Sequence, residues 1–301
     1  MTFAAIDVGT NSVRLLIADR TPDGLKEIER DLVITRMGEG VDAARKLADA
    51  ALERTVRAIA GYHRRAKEAG AEIVRIAATS AVRDSNDRDR FVEAVRDATG
   101  QEPEILSGEQ EAQVSFLGAV TELKESGPFL VLDIGGGSTE FVRGSRTAEA
   151  WVSLDVGSVR LTERHIKHDP PLEEELEAVA ADADLAVEEA RRRVGEGPAT
   201  LVGLAGTITT IAAVSLGLEG YERDQIHHAV LQAAEIERIT DQLGKMTNEE
   251  RRTLPVMPPG REDVIVAGAL ILVRVMDGFG FDDLTVSESD LLDGLVLSLP
   301  D

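Results

Sequence analysis

Two short segments of the sequence have the composition of phosphate-binding loops. Loop 1 (residues 7–12) reads Asp-Val-Gly-Thr-Asn-Ser and loop 2 (residues 133–138) reads Asp-Ile-Gly-Gly-Gly-Ser. Glycine lets the backbone approach a phosphate, successive amides can donate to its oxygens, and an aspartate can hold a metal ion. Hairpin geometry alone favours Asp, Gly and Asn, so a single copy would be weak support. Two copies favour phosphate binding.

Glu111 is the side chain best suited to activate water. Ser107 and Gln110 have the spacing of a helix capping box, which places Glu111 in the first turn of a helix. Stabilisation by the helix dipole would by itself favour a carboxylate there. The alternative is a general base that deprotonates water for attack on a terminal phosphorus. Phosphoanhydride hydrolysis needs a positioned nucleophile and charge stabilisation, so no covalent intermediate is required.

Two further segments follow predicted strands and carry hydroxyls or glycine. Thr79, Ser80 and Arg83 offer two hydroxyls and a guanidinium, although turn formation, capping and surface ion pairing explain them equally well. Gly206 and Thr207 are suited to meet a phosphate or a nucleotide, and tight helix–strand packing is the competing interpretation.

The histidines and the single tryptophan carry no predicted chemistry. None of the five histidines has a spacing typical of metal ligands, so we expect surface or core positions for them. Trp151 is expected in the core. The histidines are His63, His165, His168, His227 and His228.

Composition and charge limit the class of protein. The 301 residues are 43% hydrophobic and 29% charged, which is enough apolar material for two globular domains and too much for a disordered chain. A net charge of −22 argues against a general nucleic-acid binder, and equally against a long polyanion as substrate. A local cationic cleft can still override distant charges, since screening ends their effect within about 10 Å.

Cysteine and long apolar stretches are both absent. Without cysteine, disulfides, zinc–thiolate sites, iron–sulfur clusters and thiol nucleophiles are excluded. No apolar run reaches the roughly 20 residues that cross a bilayer, and the N-terminus lacks the basic start of a signal peptide. The sequence therefore predicts a cytoplasmic protein with no membrane partner.

The same order of elements surrounds both loops. Extended runs at residues 2–6 and 13–17 flank loop 1, and runs at residues 129–132 and 139–142 flank loop 2. Two copies more than a hundred residues apart indicate a duplicated domain. The polar stretch at residues 124–128 marks the boundary, which predicts domains 1–124 and 125–301.

Helical and extended patterns alternate elsewhere along the chain. Such alternation predicts an α/β protein with mixed sheets covered by helices. The predicted helices span residues 42–68, 87–99, 170–195, 235–243 and 263–276, and further strands span residues 72–77 and 199–204.

Six segments together resemble the exopolyphosphatase and guanosine pentaphosphate phosphohydrolase family, within the larger group of acetate kinase, sugar kinases, Hsp70 and actin. The match covers nearly the whole chain, and six motifs in order are highly specific. They are Ala-Ile-Asp-Val-Gly-Thr-Asn-Ser-Val-Arg (5–14), Ala-Thr-Ser-Ala-Val-Arg (78–83), Ser-Gly-Glu-Gln-Glu-Ala (107–112), Asp-Ile-Gly-Gly-Gly-Ser-Thr-Glu (133–140), Gly-Leu-Ala-Gly-Thr-Ile (203–208) and Arg-Glu-Asp-Val-Ile (261–265).

The resemblance implies a fold, a cofactor and roles for residues. It implies two ribonuclease-H-like (actin-like ATPase) domains with an interdomain cleft, a requirement for Mg²⁺ or another divalent cation, and a homodimer. Glu111 is implied as the carboxylate that activates water, and Asp133 and Glu140 as the groups that hold the metal or the nucleophile, with Asp7 of loop 1 as a further candidate metal ligand. The candidate phosphate-binding residues are Thr10, Asn11, Ser12, Arg14, Thr79, Arg83, Gly135, Gly136, Gly137, Ser138, Gly206, Thr207 and Arg261.

Three departures from the family pattern bear on the substrate. Gln110 stands where relatives often carry the first of two glutamates, so Glu111 is the sole candidate base of that pair. Residues 290–294 read Asp-Leu-Leu-Asp-Gly, whereas relatives commonly have Gly-Leu-Arg-Glu-Gly and thereby a cation. The sequence also ends without the additional helical domain of longer relatives. Together with the acidic balance, these departures favour short polyphosphate or a small phosphorylated nucleotide.

The leading functional hypothesis is a hydrolase of phosphoanhydrides, an exopolyphosphatase that releases orthophosphate from the end of a short polyphosphate. One alternative is hydrolysis of pppGpp to ppGpp, which requires a guanosine pocket that the sequence does not clearly display. A phosphotransferase would depend on an acceptor other than water. A non-catalytic sensor of ppGpp would retain the loops but would not need Glu111 for binding.

Overall fold

The computed structural model describes residues 1–21 and 24–299, which form two compact units. Unit 1 comprises Met1–Lys124 and the described residues that follow Glu288, and unit 2 comprises Glu125–Glu288. The sequence predicts a second domain over residues 125–301. The described residues after Glu288, however, belong to unit 1. Their apolar side chains pack with Phe3 and Leu16 of unit 1, which sequence periodicity does not reveal.

A five-stranded mixed sheet forms the centre of unit 1. Its strands have the order β3-β2-β1-β4-β5, with β2 antiparallel to β1 and β3, and with β1, β4 and β5 parallel. The strands are β1 (Thr2–Val8), β2 (Ser12–Thr21), β3 (Gly24–Ile34), β4 (Ile73–Ala78) and β5 (Glu104–Ile105).

Five helices of unit 1 precede the chain's passage into unit 2. They are α1 (Val41–Ala44), α2 (Asp49–Glu68), α3 (Ser80–Arg83), α4 (Arg88–Thr99) and α5 (Gly108–Val120). The single helix predicted over residues 42–68 is wrong, because Arg45 adopts a left-handed conformation with φ 53° and interrupts it. The amide of Leu47 then donates to Oδ1 of Asp87 at 3.0 Å, so a contact distant in sequence stabilises the break.

Unit 2 repeats the arrangement around a six-stranded sheet. The order is β10-β11-β9-β6-β7-β8, with β7 antiparallel to β6 and β8, and with β6, β9 and β11 parallel. The strands are β6 (Phe129–Ile134), β7 (Thr139–Gly144), β8 (Ala148–Leu154), β9 (Thr200–Leu204), β10 (Val230–Gln232) and β11 (Asp283–Val286). The order β8-β7-β6-β9-β11 matches β3-β2-β1-β4-β5, which confirms the predicted repeat.

The helices of unit 2 enclose its larger apolar core. The most apolar of them, α12, has nine buried residues and packs against α6, α7, α8 and α10. The helices of unit 2 are α6 (Ser158–His165), α7 (Glu173–Val194), α8 (Ala205–Ser215), α9 (Arg223–Ile226), α10 (Ala233–Lys245), α11 (Asn248–Arg252) and α12 (Ile265–Phe279). The core position predicted for Trp151 is wrong, because this residue lies on the edge strand β8 with 36% of its surface exposed.

The last helix returns to unit 1. Helix α13 (Leu291–Leu297) packs against α5 and against β1 and β2. Leu292, at the position where relatives commonly carry arginine, is buried in the apolar cluster of that interface. No cation is therefore supplied from this position.

The strand order in both units is that of the ribonuclease-H-like fold. In each unit a β-hairpin continues into parallel strands, and helices cover the sheet. The predicted α/β class with two ribonuclease-H-like domains is confirmed. Among residues 1–21 and 24–299, no helix combines the length and the apolar character needed to span a membrane.

Glu175 anchors the start of α7 and makes its stability dependent on pH. Its carboxylate accepts from Nδ1 of His168 at 2.9 Å and from the amides of Lys167 at 2.8 Å and Leu172 at 3.0 Å. The hydrogen bond from His168, followed by those from the amides, lowers the pKa of Glu175 to about 2 from 4.5.

Because the folded-state pKa is depressed, this stabilisation is present above pH 4.5 and is lost as the pH falls towards 2. We expect Glu175→Gln to lower the melting temperature at pH 7, and the difference from the wild type to shrink progressively below pH 4.5. Thermal melts across this range would measure it. The exposed neighbour Glu174→Gln is the control, and an equal, pH-independent effect of both variants would contradict the assignment.

Candidate active site

The C-terminal edge of the parallel strands gathers the candidate residues of unit 1. Loop 1 follows β1, Thr79 follows β4, and Ser107 with α5 follows β5. Since these three strands are parallel neighbours, their carboxyl ends lie along one edge of the sheet. Ligand sites of open α/β sheets are usually found at this edge.

Backbone hydrogen bonds fold loop 1 into a tight turn. The amide of Gly9 donates to the carbonyl of Ser12 at 2.9 Å, and the carbonyl of Asn11 accepts from the amide of Thr35 at 3.0 Å. The hydroxyls of Thr10 and Ser80 are 2.9 Å apart and both buried, which ties loop 1 to the segment after β4. Thr79 is buried beside them and donates its amide to Val8 of β1 at 3.1 Å.

Asp7 and Arg14 lie opposite each other on β1 and β2. Oδ2 of Asp7 accepts from Nε of Arg14 at 2.9 Å and from Nη2 at 2.7 Å, while Nη1 of Arg14 donates to Asp290. Burial raises the pKa of Asp7, although Arg14 partly opposes the shift. Burial also disfavours ionisation of Asp290, but Arg14 and Arg30 lower its pKa below the usual value. Arg14 is thus held between two carboxylates.

Glu111 lies in the first turn of α5, as predicted. The predicted capping box is confirmed: the amide of Gln110 donates to Oγ of Ser107 at 3.2 Å, and the amide of Ser107 donates to Oε1 of Gln110 at 2.9 Å. Oε2 of the buried Glu111 accepts from Nη1 of Arg83 at 2.7 Å. Arg83 also donates to the carbonyl of Leu106 at 3.2 Å, so the guanidinium orients the carboxylate.

Loop 2 has the same backbone turn as loop 1. The amide of Gly135 donates to the carbonyl of Ser138 at 3.0 Å, which corresponds to the bond from Gly9 to Ser12. Within the described residues, the amides of Gly136 and Gly137 have no acceptor. Backbone amides of this kind can donate to the oxygens of a phosphate.

Two carboxylates replace the aspartate–arginine pair in unit 2. Asp133 of β6 lies opposite Glu140 of β7, the register that places Asp7 opposite Arg14 in unit 1. Both side chains are buried, and Oε1 of Glu140 accepts from Oγ of Ser153 at 2.6 Å. Carboxylate oxygens are ligands that hard divalent cations accept, so these two residues are candidate ligands for such an ion at loop 2.

The donor set fits a hard divalent cation. Asp133 and Glu140 of unit 2 supply only oxygen atoms. In unit 1, described by itself, the buried Oδ1 of Asp7 has no hydrogen-bond partner within the described residues. No cluster of three or more His, Cys, Asp or Glu residues suitable for a metal occurs in residues 1–21 and 24–299. Mg²⁺ is commonly held by one or two carboxylates together with substrate phosphates and water, so a protein cage is not required.

Helix α8 begins with the candidate segment of Gly206 and Thr207, directly after β9. Gly206 and Thr207 lie in the first turn of α8, where backbone amides point away from the helix. The buried guanidinium of Arg261 packs against Gly206 and donates from Nη1 to its carbonyl and to Oγ1 of Thr210, both at 2.9 Å. The helix predicted from residue 263 begins at residue 265, leaving Arg261 in the preceding loop.

Several contacts at these loops cannot be predicted from the sequence. Ser80 contacts Thr10 across 70 residues of chain. Ser153 and Asp290 are revealed only by the pairing of β7 with β8 and by the return of α13. The segment Gly-Ser-Val-Arg at residues 157–160 begins α6 and contacts loop 2. The glycine directly before this helix is a local signal that could have identified the segment.

Comparison with known proteins finds relatives that match nearly the whole chain. Exopolyphosphatase 2 of Mycobacterium tuberculosis is 42% identical over 311 residues, which cover 98% of this chain and 98% of that protein. A guanosine-5'-triphosphate,3'-diphosphate pyrophosphatase of Photobacterium profundum is 26% identical over 299 residues, covering 99% of this chain and 59% of that protein. The crystal structure of an exopolyphosphatase-like protein is similar with a TM-score of 0.94 at 36% identity, covering 99% of this chain and 98% of that chain. A family model for the Ppx/GppA phosphatase family matches residues 16–301, and the chain belongs to this family.

Proposed function

We propose that this protein is an exopolyphosphatase that hydrolyses the terminal phosphoanhydride of inorganic polyphosphate and releases orthophosphate. The observation that carries the proposal is the duplicated hairpin, in which Asp7 and Asp133 each precede a glycine turn and amides in loop 2 have no acceptor within the described residues. The relative from Mycobacterium tuberculosis, which is named exopolyphosphatase 2, supports this substrate class.

Glu111 acts as the general base in this proposal. Its carboxylate, oriented by Arg83, takes a proton from water as the water oxygen bonds to the terminal phosphorus. The bridging P–O bond breaks, and its electron pair leaves with the shortened chain. The amides of Gly136 and Gly137 and those at the start of α8 stabilise the charge on the phosphoryl oxygens.

A divalent cation completes the proposed site. Asp133 and Glu140 would hold Mg²⁺, and the unpartnered Oδ1 of Asp7 makes that residue a further candidate ligand. The ion would supply positive charge for the phosphate oxygens. Thr10, Asn11, Ser12 and Ser138 remain candidate phosphate contacts in loops 1 and 2.

The preferred substrate is proposed to be a short polyphosphate. The net charge of −22 opposes the approach of a long polyanion, while a few phosphoryl groups can be bound by local amides and a cation. Arg14 is neutralised by Asp7 and Asp290, and Leu292 is buried, so these positions offer a long chain little net positive charge. We propose, from the family resemblance, that the enzyme is a cytoplasmic homodimer. Light scattering measures the mass of the protein in solution and so tests the dimer.

Hydrolysis of pppGpp to ppGpp is the second candidate function. The relative from Photobacterium profundum carries the name of a pyrophosphatase of this nucleotide, at lower identity. The bond that breaks is chemically the same, so the two candidates differ in what binds beyond the terminal phosphates.

Orthophosphate release from the purified protein tests the proposal. With Mg²⁺, we expect release from tripolyphosphate and other short chains at a higher kcat/KM than from long chains, and loss of release when EDTA removes the cation. Release from pppGpp alone would assign the second function. If no substrate yields orthophosphate but ppGpp binds tightly, the enzyme proposal is overturned and a non-catalytic sensor remains.

A further inference from the structure

Arg160 is a buried cation that contacts the backbone of loop 2. It lies in the first turn of α6, with only 5% of its surface exposed. Its Nε donates to the carbonyl of Gly137 at 2.6 Å, and Nη2 lies 3.8 Å from Oδ1 of Asp155, whose side chain is largely exposed. Burying a guanidinium is costly unless its donors are engaged, so this contact must be specific.

The start of α6 engages every carbonyl of the glycine run. The amide of Ser158 donates to Gly135 at 3.0 Å, and the amides of Val159 and Arg160 donate to Gly136 at 2.8 and 3.0 Å. The guanidinium of Arg160 then takes the carbonyl of Gly137. Three successive peptide oxygens are thereby turned towards α6.

Close approach of the two backbones makes this arrangement tight. A Cβ atom at Gly157 would lie 2.5 Å from the carbonyl oxygen of Gly136 and 2.7 Å from the carbonyl carbon of Gly137. Both atoms belong to the backbone, so a side chain at residue 157 would have to displace loop 2. The chain around Gly157 therefore packs directly against the backbone of loop 2.

Fixing the carbonyls also fixes the amides. Each peptide unit is planar, with its N–H opposite its C=O, so holding the carbonyls of Gly135 and Gly136 orients the amides of Gly136 and Gly137 away from α6. These amides have no acceptor in the described part of the chain. Holding the carbonyl of Gly137 likewise orients the amide of Ser138.

We propose that Arg160 is a positioning residue for phosphate binding: it clamps loop 2 so that the amides of residues 136–138 are directed at a phosphoryl group. The proposal rests on the proposed function for its kinetic consequence, but its structural consequence is independent of turnover. Arginine is suited to this role because its planar guanidinium stays charged while buried, and its Nε–H makes a charge-assisted bond to a carbonyl.

The kinetic test compares Arg160→Met and Arg160→Lys with the wild type. Arg160→Met keeps the aliphatic bulk but removes the donor, so we expect the KM for tripolyphosphate with Mg²⁺ to rise about tenfold to a hundredfold, with a smaller fall in kcat. Lysine can still donate to Gly137 without the fixed planar geometry, so Arg160→Lys should recover part of the loss.

Arg143→Met is the matched control. Arg143 also donates to glycine carbonyls, at 3.3 Å to Gly195 and to Gly197, but at the other end of β7 from loop 2. We expect this variant to change the KM by less than about twofold. An equal rise in KM in Arg143→Met and Arg160→Met would mean that general destabilisation causes the effect, and it would overturn the proposal.

Amide hydrogen exchange, followed without substrate, separates this proposal from the proposed function. Loss of the clamp should speed exchange of the amides of Gly135, Ser158 and Val159, which donate within the contact, and Arg143→Met should leave them unchanged. If exchange is faster in Arg160→Met but neither the wild type nor any variant hydrolyses the substrate, the exopolyphosphatase assignment is wrong and the proposed clamp is supported. Unchanged exchange and unchanged tripolyphosphate binding by a folded Arg160→Met protein would overturn the clamp, whatever the enzyme hydrolyses.

Discussion

Glu111→Gln should lower kcat for orthophosphate release by about a hundredfold to ten-thousandfold, because glutamine cannot accept a proton from water. The amide side chain has nearly the same shape and can still accept from Arg83, so the geometry of α5 should be retained. The KM should change little, since Glu111 is proposed to act on water and not on the phosphates. Initial rates of release from tripolyphosphate, with Mg²⁺ at saturation, measure both constants.

Glu109→Gln is the control for charge in the same helical turn. Glu109 is exposed and accepts from Nε2 of Gln113 at 3.2 Å, so its replacement alters the net charge equally without removing the proposed base. We expect its kcat to stay within about twofold of the wild type. Turnover by Glu111→Gln at the wild-type rate would show that another group accepts the proton.

Gly118→Ala should destabilise unit 1 strongly and reduce activity. A Cβ atom at Gly118 would lie 2.0 Å from the carbonyl oxygen of Asp290 and 3.0 Å from the amide of Gly294, which are backbone atoms of the α13 segment. Helix α5 and the segment of α13 must then separate, at a cost of about 1 to 3 kcal/mol or more. Since α5 also carries Glu111, its displacement should lower kcat as well.

Gly61→Ala provides the matched comparison within a helix. Gly61 lies inside α2, and a Cβ atom there would meet nothing within 4 Å. Alanine should therefore stabilise the protein by about 0.5 to 1 kcal/mol through helix propensity. Thermal or chemical unfolding measures both variants, and a Gly118→Ala protein as stable as the wild type would mean that α13 does not pack as described.

Local patterns were enough to predict the elements that carry the site. The order strand, glycine turn, strand depends on neighbouring residues, and so does the capping box of Ser107 and Gln110. The repeat of loops 1 and 2 predicted equivalent hairpins, and their shared register confirms that prediction. The roles of Asp133 and Glu140 came from the family resemblance and stay predictions.

Contacts distant in sequence decided what local patterns could not. Arg45 takes a left-handed conformation and ends α1, although the apolar periodicity continues, because tertiary hydrogen bonds outweigh helix propensity there. Trp151 is exposed because β8 is an edge strand, and the position of a strand in its sheet is not encoded by its own residues.

The amino-acid sequence by itself determined the α/β class, the two hairpins and the capped helix of Glu111, since these follow from local hydrogen bonding and side-chain type. The family resemblance implied further candidate residues, such as Arg14 and Arg261. Only the tertiary structure decided the partners: Arg83 with Glu111, and Arg14 with Asp290, which are separated by 276 residues. It also decided that Arg160 clamps loop 2. Ion pairs and buried donors depend on which surfaces meet after folding, and no spacing along the chain specifies that.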